Sequence, residues 1–125
     1  MNENEVGTAV VASSMRVHSA LGPGLLESAY ELCLSYELSQ SGLPVRRQIE
    51  IPLRYKDVEI DHGYRLDILD DGRVVVETKV LDVILPVHRS QLLSYLRLGG
   101  FKLGYLLNFN VAHMRDGIVR LVNGL

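Results

Sequence analysis

The chain has 125 residues, 47% apolar and 22% charged, with a formal net charge of −2. That is enough to bury one core, so a single domain over residues 1–125 is expected, and the weak charge excludes a bulk basic field that would coat nucleic acid or an anionic membrane. Cys33 is the only cysteine, which excludes an intramolecular disulfide and any multi-cysteine metal site. No apolar run reaches the ~20 residues needed to cross a bilayer. The acidic start MNENEVG lacks the basic region of a signal peptide, so no membrane partner and a reducing cytoplasm are expected.

From about Glu5 to Ala20, Val6, Val10, Met15 and Val17 suit a helix, which Gly22-Pro23-Gly24 ends. A second helix is expected from Leu25 to about Ser41, with Leu26, Tyr30, Cys33, Leu34 and Leu38 at helical spacing. The period then changes to that of strands over Val45–Leu53, Lys56–Ile60, Gly63–Leu69 and Arg73–Val80, with a tight turn at Asp71-Gly72. Pro86 opens a third helix, Val87 to Leu98, closed by Gly99-Gly100. A buried strand, Leu103 to Asn108, follows, and Gly117 to Val122 reads as a short strand or helical turn. The order α-α-β-β-β-β-α-β predicts an α/β or α+β domain, a sheet with helices packed on it.

The stretch VVVETKV, Val74 to Val80, places an acid and a base in a valine-rich strand. Strand residues two apart share a face, so Glu77 and Lys79 stand together, opposite Val76, Thr78 and Val80. Asp67 lies on the preceding strand, ten residues before Glu77. An even separation lets the two sit directly opposite only around an odd-length loop or a bulge. Paired carboxylates repel, and a hard ion such as Mg²⁺ or Mn²⁺ relieves them, while a lysine beside them can position a water or stabilise charge on a phosphate. On spacing alone, a solvent-facing hairpin with an ordinary Glu–Lys pair is the better reading.

The wider pattern changes that balance. Gly24-Leu25-Leu26-Glu27-Ser28-Ala29-Tyr30 resembles the signature of the GxxExxY family, a group similar to the PD-(D/E)XK nuclease superfamily. VHSALGPGLLESAY, GYRLDIL, VVVETK, PVHRSQLLSYL and GYLLNFN follow in that family's order, from Arg16 to Val122. The resemblance implies a restriction-endonuclease-like core, a mixed β-sheet flanked by α-helices, with a metal site at the hairpin.

It also implies roles for particular residues. Asp67, Glu77 and Lys79 match the two catalytic motifs, with Leu66 where the superfamily's name has proline and Thr78 in the variable middle position. Glu27 matches a helix glutamate that joins the site, so Asp67, Glu77 and Glu27 are the expected metal ligands. Gln91 and Tyr95 match a glutamine–tyrosine pair on the following helix. From the residues themselves, Glu27 also suits a first-turn acid complementing the helix dipole, and Gln91 with Tyr95 a buried tyrosine and its amide partner.

His88 shares a helix face with Gln91 and could reach a phosphate, while His18, His62 and His113 read as capping or surface residues. Arg46, Arg47 and Arg65 are candidate contacts to a nucleic-acid backbone. The expected function is a Mg²⁺-dependent (or Mn²⁺-dependent) nuclease hydrolysing phosphodiester bonds of DNA or RNA, with a homodimer as the means for so small a domain to grip a duplex. The alternative is a non-catalytic nucleic-acid-binding or protein-interaction module that keeps the nuclease fold.

Overall fold

A computed structural model describes residues 1–125, the His62 side chain excepted; the surface expectation for that histidine lies outside the described part. The described residues form three α-helices, α1 (Glu3–Leu21), α2 (Glu27–Gln40) and α3 (Pro86–Gly99). They pack on a sheet of β1 (Val45–Tyr55), β2 (Val58–Asp70), β3 (Val74–Lys79), β4 (Leu103–Asn108) and β5 (Ile118–Val122). Sheet order follows chain order; β3 and β4 run parallel, joined through α3, and every other neighbouring pair is antiparallel. This is the expected mixed sheet of an α+β domain. No described helix is long and apolar enough to cross a membrane.

Helix boundaries follow local chemistry. Asn2 accepts the Glu5 N–H while Glu5 accepts the Asn2 N–H, a reciprocal cap that starts α1 two residues earlier than its apolar period does. Pro86 opens α3, and Gly100, at φ 72, closes it in the left-handed conformation that suits glycine.

The core has two layers, one on each face of the sheet. Val6, Val10 and Val17 of α1 and Tyr30, Leu34 and Leu38 of α2 pack with Ile68, Val74, Val76, Tyr105 and Leu107. On the other face Leu92 and Leu96 of α3 pack with Leu66, Leu69, Val75 and Leu106. Each buried side chain of this size contributes about 1.5–3 kcal/mol. Strand β3 is therefore buried on both faces, which is why its sequence reads as continuous valine.

Two expectations need correction. The predicted strands Lys56–Ile60 and Gly63–Leu69 are one strand, β2, because Gly63 does not break it. A methyl at Gly63 would collide with Leu53 across the ribbon, so that glycine serves close approach instead. His18, expected to be a cap or a surface residue, is buried, with Nε2 2.7 Å from the Val111 carbonyl oxygen.

Candidate active site

The β2–β3 hairpin turns through Asp71 and Gly72, both with positive φ, and the Arg73 N–H donates to the Asp70 carbonyl. Asp70 nevertheless pairs with Val74, leaving Arg73 as an extra residue in the turn. This odd loop sets the register Ile68↔Val76, Leu69↔Val75, Asp70↔Val74, and the same register brings Asp67 opposite Glu77. There the backbone ladder stops. The Asp67 N–H donates to Glu77 Oε2 at 2.7 Å, and Asp67 Oδ2 accepts the Thr78 N–H at 3.0 Å. Each carboxylate has replaced a carbonyl of the facing strand.

Asp67 sits where the β1–β2 ribbon changes sides. On a regular strand Leu66 and Ile68 share a face. Here Ile68 packs under α1 and α2, whereas Leu66 packs under α3. The break coincides with Gln48 across the ribbon, which adopts φ 52 and lies between the pairs Arg47↔Ile68 and Ile49↔Leu66.

The electrostatics of the pair are strained. Burial, then repulsion from Asp67, pushes the Glu77 carboxyl up to about 8. Burial also raises Asp67 to about 6, offset in part by the Thr78 N–H and with the charges of Glu31 and Glu27 adding to the rise. Lys79, half-buried two residues beyond Glu77, lowers both without cancelling the shift. A pair of desolvated acids with one lysine is short of positive charge, and their oxygen donors suit a hard divalent cation. Asp67 and Glu77 would hold it. Among the described residues no three His, Cys, Asp or Glu side chains form a ready-made cage, so the fold preassembles a pair.

The other expected residues surround this pair unequally. Glu27 is exposed on the first turn of α2, where its charge reaches Asp67. Tyr95 comes from α3: burial, then the charges of Glu77 and Asp67, raise its phenol, and its ring stacks on Tyr64 at 4.7 Å. Gln91 is exposed one turn earlier on the same helix. A cleft of about 430 Å³ opens beside Asp67, lined by Gln48, Glu50, Tyr64 and Arg65. A larger groove of about 650 Å³, around His18 and His113, contains none of these acids.

Three of the candidate nucleic-acid contacts already have partners. Arg47 donates to Glu31 at 2.6 Å, and Arg65 donates to Gln48 at 3.4 Å and Glu50 at 3.3 Å. His88 Nδ1 accepts the Leu85 N–H at 2.9 Å, capping α3, which leaves only its other ring nitrogen for a ligand. Arg46 is exposed at the start of β1.

Sequence reasoning missed two contributors. Thr78, read as a neutral filler, gives Asp67 both its N–H and a hydroxyl contact at 3.3 Å. Glu31 is buried, accepts from Arg47 and Gln48, and its charge acts on both Asp67 and Glu77. The available signal was its place one helical turn after Glu27 and beside the buried Tyr30.

A mixed sheet between helices, with an acid before a hairpin turn and an acid-x-Lys after it, defines the nuclease-fold class. The family model described as the PD-(D/E)XK nuclease superfamily matches residues 4–121, and the chain belongs to that superfamily. Neither a curated protein nor a solved structure matches the chain.

Proposed function

We propose that this chain is a Mg²⁺-dependent nuclease that hydrolyses phosphodiester bonds of nucleic acid, and that within its superfamily it belongs to the GxxExxY group on the strength of Gly24, Glu27 and Tyr30. The observation that carries the reading is the Asp67–Glu77 pair, desolvated, mutually repelling and served by one lysine. A bound divalent ion supplies the missing positive charge and the Lewis acidity that makes a phosphate susceptible to attack.

The chain's own residues divide the remaining work. Thr78 and the Asp67 N–H orient the two carboxylates, so each keeps a second oxygen for a ligand. Lys79 shares the Glu77 face of β3, where an ammonium can position the attacking water or stabilise charge on the phosphate. Tyr95 closes the α3 side, and the cleft at Gln48 and Arg65 gives the strand a place to lie. We take DNA or RNA as the substrate, a second copy of the chain as the means of gripping a duplex, and the cytoplasm as the setting. Mn²⁺ would substitute for Mg²⁺.

The test is incubation of the purified chain with labelled DNA and RNA under Mg²⁺, Mn²⁺ or EDTA, beside Lys79→Ala. Metal-dependent cleavage that Lys79→Ala loses supports the enzyme. Absence of cleavage across the panel, with no effect of Mg²⁺ on melting, returns the chain to the non-catalytic module.

A further inference from the structure

Glu31 stands on α2 one turn beyond Glu27, yet only 5% of it is exposed. Both of its partners come from β1. Arg47 donates to Oε2 at 2.6 Å, and the Gln48 amide donates to Oε1 at 2.8 Å and Oε2 at 3.0 Å. A buried carboxylate that takes a guanidinium and an amide together holds their positions firmly, because losing the guanidinium leaves its charge unpaired and losing the amide leaves it short of a donor.

Those two β1 residues sit at a decisive place. Gln48 has a positive φ inside a strand, a conformation that is unfavourable for a side-chain-bearing residue. It lies across from Asp67, at the point where the ribbon passes from one core layer to the other. The Gln48 side chain is oriented from both ends, its amide nitrogen on Glu31 and its oxygen receiving Arg65 at 3.4 Å. On the far side of that break the Asp67 N–H leaves the ladder and turns to Glu77.

We infer that Glu31 is a positioning residue: by holding Arg47 and Gln48 it fixes the break in the β1–β2 ribbon and so sets Asp67 against Glu77. The consequence for cleavage rests on the nuclease reading above, whereas the consequence for Asp67 geometry does not. Glu31 touches neither carboxylate in this role. It acts through the strand.

Amide hydrogen exchange on the full chain in EDTA reads the geometry without any activity. The proteins are wild type, Glu31→Gln and Gln48→Gly. The glycine variant accepts the positive φ while removing the amide, so it separates the side-chain brace from the backbone conformation. The expected result is exchange roughly tenfold or more faster at the Asp67 and Thr78 amides, with Leu69 and Val75 unchanged, a local opening rather than a global one. Unchanged protection at Asp67 and Thr78 in both variants overturns the inference, as does uniform acceleration along the chain. If Glu31→Gln fails to fold, Gln48→Gly carries the test.

Steady-state cleavage in Mg²⁺ adds the second arm, with kcat expected to fall in both variants and KM to stay within about twofold in Glu31→Gln, the variant that leaves the cleft lining intact. Full activity in both variants, alongside an inactive Asp67→Asn, sinks the positioning role and leaves the nuclease standing. An inactive wild type with the local exchange effect intact does the reverse.

Discussion

The Asp67 N–H donates to Glu77 Oε2 at 2.7 Å, while Asp67 Oδ2 takes the Thr78 N–H at 3.0 Å. Two facing strands thus exchange hydrogen bonds through carboxylates where a regular ladder would use carbonyls. The exchange ends the β2–β3 pairing at Ile68↔Val76 and lodges two acids in one partly dry place.

Asp67→Asn follows from that relationship. An asparagine oxygen can still accept the Thr78 N–H, but one of the two repelling charges is gone. Cleavage should be abolished, because a negative ligand is lost. Melting in EDTA should hold or rise. A variant that melts well below wild type in EDTA would show that the carboxylate stabilises the fold, contrary to its raised pKa.

The pH dependence has a definite sign. Asp67 and Glu77 have folded pKa values of about 6 and about 8, above the unfolded carboxylate value of about 4. The folded state therefore holds more protons over that interval, and metal-free stability falls as pH rises from about 4 through about 8. Mg²⁺ and protons compete for the same oxygens. The Mg²⁺-induced rise in Tm should accordingly be larger at pH 8 than at pH 5.5, as thermal melts at the two pH values would reveal. An equal rise at both would separate the ion from this pair.

Asp70 gives an independent prediction away from the proposed chemistry. It is fully buried, and neither carboxylate oxygen has a hydrogen-bond partner among the described residues. Burial, reinforced by the charge of Asp71 and only partly offset by the nearby Asp71 N–H, which is donated to the Pro44 carbonyl, raises it to about 7. As a raised acid it costs stability increasingly from about pH 4 to about pH 7. Asp70→Asn should therefore melt higher than wild type at pH 8 and close to it at pH 5. Comparing the two proteins in EDTA cancels the contribution of Asp67 and Glu77, which both retain. A difference that does not grow with pH would mean Asp70 is solvated.

Lys79→Ala tests the division of labour from the other side. Removing the ammonium leaves both carboxylates and all their backbone donors in place. Mn²⁺ binding should persist, while turnover falls by roughly 10²–10⁴-fold, the usual cost of losing a positioned acid–base or electrostatic group. Wild-type turnover in this variant would make Lys79 a mere counter-charge.

Much of this arrangement was legible because it is local. The even Asp67–Glu77 spacing required an odd turn, and the extra Arg73 supplies it. The valine run marked β3 as a strand, though its burial on both faces emerged only with the packed helices, and Pro86 and Gly100 marked the ends of α3. What escaped depends on pairings distant in the chain. Burial of Glu31 is set by Arg47 and Gln48, sixteen and seventeen residues on. The change of face at Asp67 needs Gln48 opposite it, and no periodicity within β2 encodes that. Gly63 read as a break because its partner Leu53 lies on another strand.

Tyr30 separates the two halves of the Gly24–Glu27–Tyr30 signature. Residues three apart on a helix can face one neighbour, but Glu27 is exposed and Tyr30 is fully buried. The Tyr30 ring stacks on Phe109 at 4.5 Å, and its hydroxyl donates to the Gly22 carbonyl while accepting the Leu25 N–H. It pins the turn between α1 and α2, and with it the start of the helix that carries Glu27 and Glu31. Tyr30→Phe keeps the ring and strands two backbone groups, so it should cost about 1–3 kcal/mol of stability. Metal-dependent cleavage at a temperature where the variant is fully folded should stay near wild type, because the hydroxyl is spent on backbone. Thermal melting paired with turnover distinguishes the outcomes. A stable variant that has lost turnover would move Tyr30 from the scaffold into the chemistry.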